Sequence, residues 1–264
     1  MGELWQLSIA EAGVGLHGRR FTATDLVSAV LQRAEETEPR LHAYARLMTE
    51  EALEAAGAAD REIQAGRWRG PLHGIPIGVK DLCYTAGVPT EAGSRAMAGF
   101  VTDFDATVVR RLREAGAVIA GKTVTHEFAY GQNIAVTRSP WDESMSPGGS
   151  SAGSGVATAV GSAMGAIGTD TGGSIRQPAD FNGVVGLKPT FGRVSRYGVV
   201  ALSLSLDHVG PITQSVEDCA ILLQGIAGHD PLDPASASRP VTDYRGALDG
   251  GIRGMRLGVD RSYF

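Results

Sequence analysis

The stretch that most constrains this chain runs from Pro147 to Pro178, where two glycine-serine clusters flank an apolar segment. The first cluster is Pro147-Gly-Gly-Ser-Ser-Ala-Gly-Ser-Gly155 and the second is Gly168-Thr-Asp-Thr-Gly-Gly-Ser-Ile-Arg-Gln-Pro178. Between them lie Ala157, Val160, Ala163, Met164, Ala166 and Ile167. Glycine lets backbone amides approach a ligand closely. Serine supplies a hydroxyl that a neighbouring base can turn into a nucleophile. A flexible linker is compositionally uniform, and this stretch is not: polar turns alternate with core-forming residues, the pattern of a catalytic floor.

The rest of the chain bounds what such a floor can belong to. Its 264 residues allow a sizeable core, in one large domain or two small ones. With 43% hydrophobic and 20% charged residues it is globular, not disordered. A net charge of −5 without a long basic run provides no cationic groove for nucleic acid. No apolar run approaches the ~18 residues of a membrane span. Met1 to Leu16 carries Glu3 and Glu11 and lacks the basic-then-apolar order of a signal peptide. Cys83 and Cys219 have no metal-ligand spacing and read as reduced thiols of a cytoplasmic protein. The six histidines form no ligand pattern, and neither metal nor cofactor is expected.

Helices and strands alternate in the manner of an α/β sheet covered by helices. Residues 24–36 are predicted as an amphipathic helix, capped by Thr22 or Thr24, with Leu26, Val27, Val30, Leu31 and Ala34 on one face and Pro39 closing it. A second helix over 50–64 turns Leu53, Ala56, Ala59 and Ile63 inward. Gly74 to Lys80 is a short β-branched strand that delivers Lys80 at its C-terminal end. A helix over 105–115, capped by Asp105 or Thr107, leads through Gly116 to a strand at Ala117–Gly121. A helix over about 152–164 follows the first serine cluster. Gly186–Pro189 and Gly198–Leu206 offer short strand or loop elements, Ser215-Val-Glu-Asp218 opens a helix to about Ala227, and Met255–Val259 is one more strand. His229 to Tyr244, rich in proline, aspartate and serine, is the best linker candidate.

Three residues stand out for chemistry. Ser174 follows two glycines, and the amides of residues 171–174 can converge as an oxyanion hole requires. Ser150 stands at the start of a helix, whose dipole favours developing negative charge. Lys80 ends an apolar strand, where desolvation lowers the pKa of a lysine and makes it a base. Taken singly, a serine after two glycines is most often a turn, a strand-end lysine a solvated charge, and Ser150 a helix cap. Other motifs fail on their surroundings. Gly149-Ser-Ser-Ala-Gly153 fits Gly-x-Ser-x-Gly, with Ser151 as nucleophile and His208 or His229 downstream, but no hydrophobic strand precedes it. No Lys-Ser or Lys-Thr follows Gly153 or Gly155, as a phosphate-binding loop needs. His126-Glu127 opens like a zinc-binding helix, but Tyr130 occupies the place of its second histidine. His73, beside the lysine strand, reads as a packing residue.

Taken together and in order, the segments Pro147-Gly-Gly-Ser-Ser-Ala-Gly-Ser154, Gly168 to Ala179, Gly186-Leu-Lys-Pro-Thr-Phe-Gly-Arg193 and Gly74-Ile-Pro-Ile-Gly-Val-Lys-Asp81 resemble the amidase signature family from about residue 22 onward. The resemblance implies a central mixed β-sheet covered by helices on both faces. It implies a Ser–cis-Ser–Lys triad, with Ser174 as nucleophile, Ser150 bridging after a non-proline cis peptide, and Lys80 as base. The amides of Thr171, Gly172, Gly173 and Ser174 would form the oxyanion hole. Asp170 and Arg176 would pair to shape that loop, Ser151 would assist, and Tyr130 and Gly131 would line the acyl pocket, with Trp141 and Arg138 as weaker candidates. Ala152 departs from the glycine of many relatives.

The implied activity is hydrolysis of an amide C–N bond through an acyl-enzyme, with no cofactor and a small-molecule amide as substrate. Two further readings stay open within the family. One is the glutaminase component of a tRNA-dependent amidotransferase, with partner subunits in place of a possible homodimer; Gly192 to Gly198 and Gly228-His-Asp-Pro231 lean that way. The other is a catalytically incomplete portion with an exposed hydrophobic patch, since family chains extend well past this length. The expected organisation is a single domain: a helical segment over 1–70, a catalytic core over 71–228, and a linker and the start of a C-terminal part over 229–264.

Overall fold

The structure, a computed structural model, describes residues 3–131 and 136–262. Six strands form one mixed sheet: β1 (Tyr44–Leu47), β2 (Pro76–Lys80), β3 (Val118–Thr123), β4 (Gly165–Asp170), β5 (Val185–Gly186) and β6 (His208–Thr213). Their spatial order is β1-β3-β2-β4-β6-β5. The central trio β3-β2-β4 is parallel, and the β1/β3, β4/β6 and β5/β6 pairs are antiparallel. Seven α-helices among the described residues surround the sheet: α1 (Ile9–His17), α2 (Ala23–Leu41), α3 (Thr49–Gln64), α4 (Thr107–Glu114), α5 (Ala152–Val160), α6 (Arg176–Asn182) and α7 (Val216–Ile226).

The alternation of a strand divides the two faces. On β2, Ile77 and Val79 enter the main core with Leu26 and Val30 of α2, Val108 and Leu112 of α4, and Leu222 and Ile226 of α7. Gly78 turns the other way, where an added Cβ would come within 2.9 Å of Thr123 and 3.5 Å of Ala166. On that second face Thr123 shares a 2.7 Å hydrogen bond with Ser154 of α5. Helices therefore cover both faces, and Lys80, two residues beyond Gly78, faces α5.

Several elements differ in detail from the sequence expectation. The helix expected over 24–36 runs from Ala23 to Leu41, with Thr22 and Asp25 capping it reciprocally. Pro39 lies inside its last turn and does not close it; the chain leaves at His42 in a left-handed conformation (φ 50°). The Glu38 carboxylate accepts the amides of Ala43 and Tyr44 and so fixes that exit. In α3 the buried stripe is Ala52, Ala56, Ala59 and Ile63, and Leu53, one step off that stripe, is exposed. Neither Asp105 nor Thr107 caps α4; Asp105 accepts the Ala86 amide instead. Helix α5 stops at Val160, where Gly161 takes a positive φ of 76° and turns the chain into β4.

At α7, Ser215 accepts the Asp218 amide, but the Asp218 carboxylate accepts the Ala10 amide of α1 rather than returning to its own cap. Gly198–Leu206 joins the molecule as a loop with one isolated bridge, Cys83 to Val199. Met255–Val259 is not a strand: among the described residues no neighbouring strand offers it a ladder, and Met255, Leu257 and Val259 are all exposed. Cys83 and Cys219 are both buried free thiols. Among the described residues no helix is long and apolar enough to cross a membrane.

Candidate active site

The C-terminal ends of β2 and β4 and the N-terminus of α5 meet at one point. Lys80, the last residue of β2, is fully buried. Its Nζ donates to Ser150 Oγ at 2.8 Å and to Thr169 Oγ1 at 2.7 Å. Burial pushes Lys80 from an ordinary 10.5 down to about 7, against an opposing pull from the carboxylates of Asp170 and Asp207. A lysine at that value is substantially neutral near pH 7 and can accept a proton.

Ser150 follows a cis peptide bond from Gly149. It is not a helix cap, since Ser151 occupies the N-cap position of α5. Its segment is tied down on every side. The Ser150 carbonyl accepts the His126 amide at 3.1 Å, the Gly149 amide donates to Gln177 Oε1 at 3.1 Å, and Asn182 Nδ2 donates to the Pro147 carbonyl at 2.8 Å. The His126 imidazole packs so closely on Gly149 that an added Cβ would lie 2.2 Å from its Cε1. Ser151 clamps β4: its hydroxyl donates to the Thr169 carbonyl and accepts the Thr169 amide, both at 3.2 Å.

Ser174 reaches this cluster through its backbone, where its carbonyl accepts the Ser151 amide at 3.3 Å. The hydroxyl network from Lys80 ends at Ser150; among the described residues no hydrogen bond links it onward to the Ser174 hydroxyl. The turn before Ser174 is organised by buried Asp170. This carboxylate accepts the Gly173 amide at 2.7 Å, the Ile175 amide at 3.1 Å, and Arg176 Nε and Nη2 at 3.0 Å each. Burial works to raise the Asp170 pKa, and the hydrogen bonds from Arg176, Ile175 and Gly173 outweigh it and hold the carboxyl below its ordinary range. The Gly173 amide is thus committed to Asp170. The amides of Thr171, Gly172 and Ser174, by contrast, have no partner among the described residues.

A cavity of about 180 Å³ opens beside Thr169 and Thr171, walled by Leu82, Ala129, Val200 and Asp207. Ala129 contributes to this wall; neighbouring Tyr130 is 73% exposed and does not. The Gly131 carbonyl lies 3.0 Å from His126 Nδ1. Trp141 and Arg138 are exposed. His73 is buried 3.3 Å from Glu62, in contact with the Trp68 ring, and apart from the lysine cluster. His126 and Glu127 begin a short 3-10 turn.

Three contributors do not stand out in the sequence: Thr169, which holds Lys80; Asp207, which accepts the Thr171 hydroxyl; and the Asp81–Lys122 pair behind the site. The signal for Thr169 is present in the alternation of Gly165–Asp170, which becomes legible once that segment is seen as a strand.

The family model described as Amidase matches residues 25–264. The A subunit of glutamyl-tRNA(Gln) amidotransferase from Anaeromyxobacter dehalogenans is 51% identical over 266 residues, covering 99% of this chain and 54% of that relative. The protein of the same name from Chloroflexus aggregans is 50% identical, over 100% of this chain and 55% of its own length. The native peptide amidase of Stenotrophomonas maltophilia superposes with a TM-score of 0.88 at 45% identity, covering 92% of this chain and 53% of that one. The chain spans about half the length of the relatives it matches.

Proposed function

This chain belongs to the amidase signature family, and from that premise we propose that it carries the catalytic centre of an enzyme that hydrolyses an amide C–N bond through Ser174, Ser150 and Lys80. The observation that carries the proposal is the buried 2.8 Å contact between Lys80 Nζ and Ser150 Oγ, with Lys80 brought down to about 7. Lys80 takes a proton from Ser150 as Ser150 takes one from Ser174. Ser174 Oγ forms a bond to the amide carbonyl carbon, and the carbonyl electron pair moves onto oxygen. The amides of Thr171, Gly172 and Ser174 are the donors available to that oxyanion. The proton returns through Ser150 to the leaving nitrogen as the C–N bond breaks. Water then attacks the acyl-enzyme by the same relay and regenerates Ser174.

The identity of the relatives favours a second reading of the same centre. The curated relatives at 51% and 50% identity are amidotransferase A subunits, so glutamine would be the amide and partner subunits would receive the ammonia. Ammonia release from glutamine, with and without such partners, set against release from a peptide carrying a C-terminal amide, separates the two. Ser174→Ala in the natural protein abolishes turnover of whichever amide is cleaved; turnover at the unmodified rate in that variant overturns both readings.

A further inference from the structure

Asp170 holds the oxyanion turn at its Gly173–Arg176 side, and a second carboxylate holds it at Thr171. Asp207 Oδ1 accepts the Thr171 hydroxyl at 2.5 Å, while Oδ2 accepts the Leu202 amide at 2.8 Å and the Ser203 amide at 2.9 Å. The Asp207 amide in turn donates to the Ser203 carbonyl at 3.0 Å. An aspartate that only closed its own turn would need no more than these local bonds. The bond to Thr171 spans 36 residues and joins that turn to the chain just beyond β4. The junction is rigid because Asp207 directly precedes β6, where His208 pairs in register with Asp170.

We propose that Asp207 is a positioning residue, which through the Thr171 hydroxyl aligns the Thr171 amide with those of Gly172 and Ser174 for the oxyanion. The inference rests on Ser174 being the nucleophile. Threonine is stiff at χ1, so pinning its hydroxyl also fixes the direction of its backbone. Oxyanion donors act only where they are aimed in advance, which makes a small rotation of Thr171 costly to rate while leaving the fold in place. Leu202 of the same turn also lines the cavity beside Thr169 and Thr171, so one carboxylate sets both the turn and that wall.

The rate at which a fluorophosphonate labels Ser174 tests this without knowledge of the natural amide. The Ser174 Oγ–phosphorus bond forms, fluoride leaves, and the hydroxyl proton passes to Ser150 and Lys80. In the natural protein, Asp207→Ala slows labelling about tenfold or more. Thr171→Val slows it comparably, and Thr171→Ser, which keeps the hydroxyl, stays within about threefold of the unmodified rate. The double variant Asp207→Ala/Thr171→Val is no slower than the slower single one, because both remove the same bond. An unmodified rate in Asp207→Ala overturns the inference, as do multiplying losses in the double variant. If Asp207→Ala does not fold, equal rates for Thr171→Val and Thr171→Ser overturn it. Absence of label on Ser174 in the unmodified protein instead overturns the nucleophile reading beneath it.

Discussion

Strands β2 and β3 lie side by side, and each brings one fully buried lysine to its C-terminal end, Lys80 and Lys122. Register sends them apart. Val79 pairs with Lys122 and Lys80 pairs with Thr123, so the two side chains leave opposite faces of one sheet. Lys122 meets a carboxylate, Asp81 Oδ1 at 3.0 Å, together with the Thr90 hydroxyl at 2.6 Å. Lys80 meets two hydroxyls. Burial raises Asp81, and the charge of Lys122 pulls it back. The difference lies in the company each amine keeps: burial brings Lys80 down to about 7 where hydroxyls meet its amine, whereas Lys122 lies against a carboxylate. The ion pair does a different job. Asp81 Oδ2 accepts the Glu91 amide at 3.0 Å, which fixes a loop whose Ala92 carbonyl accepts the Phe128 amide next to Ala129 on the cavity wall.

Substituting each lysine by methionine is the strongest way to break this comparison. Lys80→Met lowers turnover by about 10²–10⁴-fold, the usual worth of a general base. It leaves the melting temperature unchanged or higher, because a linear apolar side chain replaces a buried amine whose partners are rotatable hydroxyls. Lys122→Met has the reverse signature. It strands Asp81 in the interior and costs about 3–5 kcal/mol of stability in a denaturant titration. Adding Asp81→Asn to it recovers part of that loss. A Lys80→Met variant as destabilised as Lys122→Met would show that both lysines are structural and would remove the distinction.

The same contrast explains what the sequence discloses and what it hides. Lys80, Ser150 and Ser174 sit in motifs with unusual composition, so residue types and order single them out, and the chemistry proposed for them comes from the resemblance those motifs carry. Strand β2 is visible because its β-branched residues alternate with glycine. Strands β4 and β6 are not, because Gly165, Ala166 and Gly168 have no β-branched signature and the Gly210-Pro211 pair in β6 looks like a turn. Their strand character comes from neighbours on both sides. Helix α1 escapes a reading of apolar periodicity, although Ser8 and Glu11 form a capping box before it. The bonds from Thr169 to Lys80 and from Asp207 to Thr171 span 89 and 36 residues, and no local pattern encodes either. The alternating segment Met255–Val259 misleads in the opposite direction, since a strand-like pattern has no ladder without a paired edge.

A smaller effect is expected from the second hydroxyl on Lys80. Thr169→Val keeps the shape of the side chain and removes one of the two acceptors that orient Nζ. Lysine has a long flexible stem, and Ser150 alone fixes its head less tightly. Turnover falls about tenfold, the order of one lost hydrogen bond to a charged or polarised group, while the melting temperature stays close to that of the unmodified protein. An unchanged rate would mean that Ser150 suffices to place Lys80. The comparison would then turn on the missing carboxylate alone.

The smallest effect concerns Cys83, which is fully buried and is influenced by both lysines. With Lys80 near 7, the amine is protonated and unable to accept a proton at lower pH. Turnover therefore rises with pH through about 7 and levels off above it. Stability follows the same direction. The unfolded lysine holds its proton up to an ordinary 10.5 and the folded one releases it near 7, so the unfolded state binds more protons between those values and stability increases with pH across them. A thiolate at Cys83 would pull Lys80 back up and move the rise in turnover to higher pH. Burial prevents this by pushing the Cys83 thiol up to about 11, where it stays protonated and neutral throughout the range in which Lys80 titrates. Cys83→Ala accordingly leaves the acid limb of the pH–rate profile in place. A shift of that limb toward lower pH in the variant would show that the thiol carries charge beside Lys80, and that the base is tuned by a counter-ion after all.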